Sequence, residues 1–147
     1  MVPPLGFALV TPGIYRSGFP NRKNGVFLAQ LRLRSVLYLA PEDYAPDMLA
    51  FYADHGIRLF RIPMQGNKEP FAEIDGDEMA RALVLMADPQ NRPMLVHCNK
   101  GKYRVGCAVG CLRKCQRWSL TAIFDEYRRY TANKVRAADQ EFIEVFD

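Results

Sequence analysis

Three short runs rich in β-forming residues stand out in the first two thirds of the chain: Ser35-Val36-Leu37-Tyr38-Leu39-Ala40, Ile57-Arg58-Leu59-Phe60-Arg61-Ile62 and Met94-Leu95-Val96-His97. Their length and β-branched or aromatic content predict strands. Gly13-Ile14-Tyr15-Arg16-Ser17 is a fourth candidate. Between them the spacing of apolar positions turns helical, over 24–33, 46–55 and 75–87. The second helix carries Pro46 at its start and Gly56 as its stop, and the third has acidic residues in its first turn with Met79, Leu83 and Met86 on one face. Strands alternating with helices predict an α/β domain with a central, mostly parallel sheet flanked by helices. Three further helices are expected after the last strand, at about 105–117, 119–131 and 137–146, so the sheet belongs to the first two thirds.

Composition adds bounds. The 147 residues fit one domain, 1–147. Half the residues are apolar and a quarter charged, which excludes a disordered or fibrous chain. No apolar run reaches the length of a membrane span, and the start MVPPLGFALVTPG has no basic stretch or cleavage signal of a secretory leader. Cys107, Cys111 and Cys115 recur at helical spacing, as small buried side chains do, and neither a zinc-ribbon spacing nor a disulfide framework is present. A reduced, cytoplasmic protein is expected. Trp118, Phe124 and Tyr127 are expected to be core or helix-packing residues, and Arg128 and Arg129 to pair along a helix with Asp125 and Glu126.

The chemistry concentrates after the last strand, in His97-Cys98-Asn99-Lys100-Gly101-Lys102-Tyr103-Arg104-Val105. A loop that closes onto a helix N-terminus aims backbone N–H groups, and the positive end of the helix dipole, at one point. Gly101 lets the backbone come close to a ligand there. Arg104 offers a planar fork that binds two phosphate oxygens. A thiol in such a place ionises readily, and its thiolate is a strong nucleophile. Cys and Arg with five residues between them also occur by chance. Here an apolar strand ends at Cys98, and a glycine-bearing basic loop runs into a helix. His97 reads as an orienting residue rather than a base.

On these residues the chain resembles the cysteine-dependent protein tyrosine phosphatase superfamily. More narrowly, it resembles the plant-and-fungal atypical dual-specificity phosphatases, the Siw14-like group. The resemblance also rests on Ile14-Tyr15-Arg16-Ser17 with Phe19-Pro20, on Gly66-Asn67-Lys68-Glu69-Pro70-Phe71, on Trp118-Ser119-Leu120-Thr121 and on Ile123-Phe124-Asp125-Glu126-Tyr127-Arg128-Arg129. Lys134-x-Arg136-x-x-Asp139-Gln140-x-Phe142-Ile143 completes it. It implies a phosphatase domain with Cys98 as nucleophile, Arg104 as phosphate ligand and no metal or other cofactor. It also implies removal of the β-phosphate of inositol pyrophosphates, with preference for the 5-diphosphate; some members act on phosphotyrosine.

Two positions depart from the family pattern. Val105 stands where a Ser or Thr usually assists departure of the thiolate, which predicts slower phosphoenzyme breakdown. Tyr103 stands where His is more frequent. The family's general acid is an Asp on an upstream loop, but the stretch 64–71 has none. Glu69, 29 residues before Cys98, is the candidate acid, with Asp75 and Asp77 read as helix-start residues. A diphosphate releases a good leaving group and needs less protonation than an alkyl phosphate.

Candidate substrate contacts are Asn67, Lys68, Asn99, Lys100, Gly101, Lys102, Tyr103, Lys134 and Arg136. Local excess of cations would steer a highly phosphorylated small molecule, or a phosphoprotein, to the loop. The other readings are a protein tyrosine or dual-specificity phosphatase, a weakened phosphate-binding module, and a rhodanese-type sulfurtransferase. No basic stripe with interleaved aromatics suggests nucleic acid.

Overall fold

The computed structural model describes residues 1–68, 71–132 and 134–147. Its strands are β1 (Ala8–Thr11), β2 (Ile14–Ser17), β3 (Ser35–Tyr38), β4 (Arg58–Arg61) and β5 (Met94–His97). Its α-helices are α1 (Gly25–Leu31), α2 (Pro46–Asp54), α3 (Gly76–Ala87), α4 (Tyr103–Cys115), α5 (Leu120–Thr131) and α6 (Ala137–Val145). The sheet order is β1-β2-β5-β3-β4, with β1 antiparallel to β2 and every other pairing parallel.

The last strand in sequence is therefore the middle strand in space. All four residues of β5 are buried, as expected of a parallel strand covered on both faces. Its side chains alternate. Met94 and Val96 join a core with α3, α4, α5 and α6, through Met79, Met86, Val105, Cys111, Ile123 and Ile143. Leu95 joins a second core with α1 and α2, through Leu28, Met48 and Tyr52. Two helical layers thus enclose one sheet.

The helices end as their residues dictate. Asp75 caps α3 by accepting a hydrogen bond from the Asp77 amide, and Ser119 caps α5 through the Ala122 amide. Gly56 has φ +65° just after α2. Arg32, at φ 52°, ends α1 two residues earlier than the pattern predicts. β1 is an additional strand at the sheet edge.

Trp118 is 38% exposed and packs against α4, with the Arg113 guanidinium over its ring at 4.1 Å, so of the two roles expected for it the helix-packing one holds. Other packing expectations need correction. Cys115 is exposed, whereas Cys107 and Cys111 are buried, because Cys115 is the last residue of α4. Arg113 from α4, and not a neighbour on α5, pairs with Glu126 at 3.0 Å and also donates to the Val10 carbonyl at 2.7 Å. This buried pair ties α4, α5 and β1 together. Arg128 does pair with Asp125 on the helix surface. Among the described residues, no helix is long and apolar enough to cross a membrane.

Candidate active site

Cys98 follows directly from β5, whose last residue His97 is in register with Ser17 of β2 on one side and Tyr38 of β3 on the other. The thiol is held at the C-terminal edge of the central strand, 3% exposed. The turn after it is pinned from outside. The Phe19 amide donates to the Asn99 carbonyl at 3.0 Å, and Arg16 Nη2 donates to the Gly101 carbonyl at 3.1 Å. With these carbonyls drawn toward β2, the turn has the sense in which amides converge at a helix N-terminus. α4 begins at Tyr103, two residues before the predicted start, so Arg104 stands in its first turn.

Gly101 has φ +74°, and a Cβ there would lie 2.5 Å from the Gly18 nitrogen and 2.8 Å from the Ser17 carbonyl carbon. The glycine is required for packing on β2 and not, as expected from the sequence, for contact with a ligand. Arg16 carries no local signal of a role in the sequence. It is 1% exposed, stacked over the Tyr130 ring at 3.7 Å, and holds the turn from beneath. Burial lowers its pKa from the usual arginine value, partly offset by Tyr130, Glu126 and Cys98.

His97 is fully buried. Its Nδ1 lies 3.0 Å from the Cys98 carbonyl and its Nε2 2.8 Å from the Tyr44 hydroxyl, which is 2.7 Å from the Tyr52 hydroxyl. The carbonyl can only accept, so Nδ1 carries the proton and Nε2 accepts from Tyr44. Desolvation drives the imidazole pKa down to about 4. His97 is therefore a neutral strut that fixes the Cys98 peptide, as its orienting role predicts.

A cavity of ≈ 380 Å³ opens over this turn. Cys98, Asn99, Lys100, Tyr103 and Arg104 form one part of its wall. Gln65, Gly66 and Lys68 come from the segment after β4, Pro41 and Glu42 from the segment after β3, and Arg136 from the approach to α6. Arg104 Nε donates to the Met64 carbonyl at 2.8 Å, which aims the guanidinium along the cavity. Arg136 stacks over the Tyr103 ring at 3.6 Å, and the Tyr103 hydroxyl donates to the Lys134 carbonyl at 3.0 Å.

Seven of the residues singled out from sequence thus meet in one wall: Lys68, Cys98, Asn99, Lys100, Tyr103, Arg104 and Arg136. Lys102 is half-buried ahead of α4 and Lys134 is exposed, and neither lines the cavity. Glu69 lies outside the described residues. Asn67 is fully buried, and its polar atoms are engaged within the protein. Its Nδ2 donates to Asp139 Oδ1 at 2.9 Å, and its Oδ1 accepts from the Glu73 and Ile74 amides at 2.5 and 2.8 Å. Tyr127 donates to Asp139 Oδ2 at 2.5 Å, and Arg136 Nη1 donates to the Asn67 carbonyl at 3.0 Å. Asn67 therefore anchors the loop that carries Lys68. Desolvation raises the Asp139 pKa, opposed by its Tyr127 and Asn67 hydrogen bonds.

Comparison with known proteins places this geometry. The profile of the family described as "Tyrosine phosphatase family" matches residues 1–147. Inositol diphosphatase DSP1 of Oryza sativa subsp. japonica is 54% identical over 147 residues, covering 100% of this chain and 66% of that protein. Inositol diphosphatase SIW14 of Saccharomyces cerevisiae is 49% identical over 148 residues, covering 100% of this chain and 53% of that protein. The chain thus spans between half and two thirds of the length of these two relatives. The crystal structure of the core catalytic domain of PP-IP phosphatase SIW14 from S. cerevisiae, in complex with citrate, superposes with a TM-score of 0.94 at 46% identity, covering 100% of this chain and 88% of that one.

Proposed function

Because this chain belongs to the tyrosine phosphatase family, we propose that it is a cysteine-dependent phosphatase that removes the β-phosphate of inositol pyrophosphates. The observation that carries this reading is the cavity wall. It brings Lys68, Lys100 and Arg136, from three separate segments, around the Cys98–Arg104 pair. One phosphate needs only the turn and Arg104. The additional cations suit a substrate whose other phosphates reach the walls. The relatives named as inositol diphosphatases support the same substrate class.

In this mechanism the Cys98 thiolate attacks the terminal phosphorus in line. The bond from that phosphorus to the bridging oxygen breaks, and its electron pair leaves with the inositol-bound phosphate. The turn and Arg104 stabilise the equatorial oxygens throughout. Water then attacks the phosphocysteine, releasing inorganic phosphate and restoring the thiolate. Glu69 is the proposed proton donor. The departing oxygen is already that of a phosphate, so the reaction depends little on the donor's strength. Val105 is fully buried in the α3–α6 core and provides no hydroxyl to the departing sulfur.

The test is hydrolysis of 5-diphosphoinositol pentakisphosphate and of phosphotyrosine peptides by the wild type and by Cys98→Ser. Phosphate release from the diphosphate by the wild type alone is the expected result. Preference for the peptides would support a protein phosphatase instead. Release from neither would leave a phosphate-binding module, and equal release by Cys98→Ser would overturn the nucleophile.

A further inference from the structure

The described cavity wall contains four cationic side chains and one carboxylate, Glu42. An exposed acid is common on a protein surface, but one in a pocket for polyanions opposes binding and requires an explanation. Glu42 is held in place. Its Oε1 accepts a hydrogen bond from Asn99 Nδ2 at 2.6 Å, and Asn99 Oδ1 accepts one from the Tyr38 hydroxyl at 3.1 Å. Asn99 is itself fixed through its carbonyl by the Phe19 amide. The carboxylate is thus joined to the residue next to the nucleophile through a short relay that starts on β3. Its field is felt along that relay: the Tyr38 pKa is raised, first by desolvation and next by the negative charge of Glu42.

We propose that Glu42 is a specificity-determining residue that orients polyphosphorylated substrates by repulsion. The inference rests on the phosphatase reading of the same cavity. A single phosphate sits on the Cys98 turn, and its charge is met there by Arg104 and the turn. A polyphosphate also projects anionic groups toward the walls. Groups directed at Glu42 are repelled, whereas groups directed at Lys68 and Arg136 are attracted. The carboxylate therefore excludes orientations that the cations alone would accept, at some cost in total affinity.

Glu42→Gln tests this, because it deletes the charge and keeps an oxygen for the Asn99 amide. Binding of inositol hexakisphosphate and of orthophosphate to the wild type and the variant is measured by calorimetry at low and physiological salt. The expected gain for the hexakisphosphate is about three- to tenfold at low salt, at least threefold larger than that for orthophosphate, and smaller at physiological salt. Equal gains for both ligands would overturn the proposal, since Glu42 would then act on the turn through Asn99. No gain would overturn it as well. In parallel, collapse of kcat on 5-diphosphoinositol pentakisphosphate would make Glu42 a proton donor and end the repulsion reading. Binding needs no turnover, so this inference and the hydrolase reading fail separately.

Discussion

Asn67→Ala is expected to destabilise the protein strongly, although the position lies in an irregular loop. The substitution removes the hydrogen bond from Asn67 Nδ2 to Asp139, a long one from Nδ2 to Cys107 Sγ, and those from the Glu73 and Ile74 amides to Asn67 Oδ1. They are not equivalent. Glu73 is exposed, and its amide regains water. Ile74 is 6% exposed and Asp139 0%, so the Ile74 amide and Asp139 Oδ1 both lose their Asn67 partner in the interior. A buried polar group stranded in this way costs about 1–3 kcal/mol. Two of them give about 2–6 kcal/mol, a large share of the roughly 5–15 kcal/mol typical of a domain. With a urea m-value of about 2 kcal/mol/M, the unfolding midpoint falls by about 1–3 M. Folded Asn67→Ala at low temperature should also show a raised KM with a smaller change in kcat, because Lys68 loses its anchor. A midpoint within about 0.3 M of wild type at unchanged m would refute the reasoning. It would mean that the loop is held by something other than the Asn67–Asp139 pair.

Three further predictions follow from single sites. Val105→Thr should speed phosphoenzyme breakdown, read as a faster steady-state rate after the burst, while burying a hydroxyl at a stability cost of about 1–3 kcal/mol; an unchanged rate refutes the role given to the missing hydroxyl. His97 binds its proton in the unfolded chain near pH 6.5 but in the native state only near 4. Its stabilising contribution is complete above pH 6.5 and is lost as pH falls toward 4, by about 3 kcal/mol in all. NMR titration checks this, because a native His97 resonance that titrates near pH 6.5 contradicts it. Gly101→Ala should lower phosphate binding at least tenfold, since its Cβ meets Gly18 backbone at 2.5 Å and the turn must shift. Wild-type orthophosphate affinity in that variant would show that the turn tolerates the displacement.

Much of this architecture is legible in the chain because it rests on local pattern. The β3 and β5 runs are apolar and continuous, as strands buried on both faces must be, whereas β4, at the sheet edge, keeps exposed Arg58 and Arg61 around Leu59 and Phe60. The Cys98-to-Arg104 spacing encodes a strand, a turn and a helix start within a few residues. β1 was hidden because Ala8-Leu9-Val10-Thr11 lies at the sheet edge with Leu9 exposed, and its pairing with β2 depends on tertiary register. Asn67 and Asp139 were visible as parts of two separate motifs. Their contact joins residues 72 apart, which periodicity does not report. Glu42 has no local signature, because a cavity assembled from the segments after β3, β4 and β5 exists only once the sheet order brings them together. The same limit explains Lys134. Its sign suggested the pocket, but the structure uses its backbone carbonyl to hold Tyr103.

The central claim is that Cys98 takes the transferred phosphoryl group. The direct measurement is rapid acid quench of the enzyme with 5-diphosphoinositol pentakisphosphate carrying a labelled β-phosphate, followed by peptide mapping. Label is expected on the peptide containing Cys98 within the first turnover, absent in Cys98→Ser and persisting longer in wild type than in Val105→Thr. Phosphate release at the wild-type rate with no label on Cys98 would contradict it.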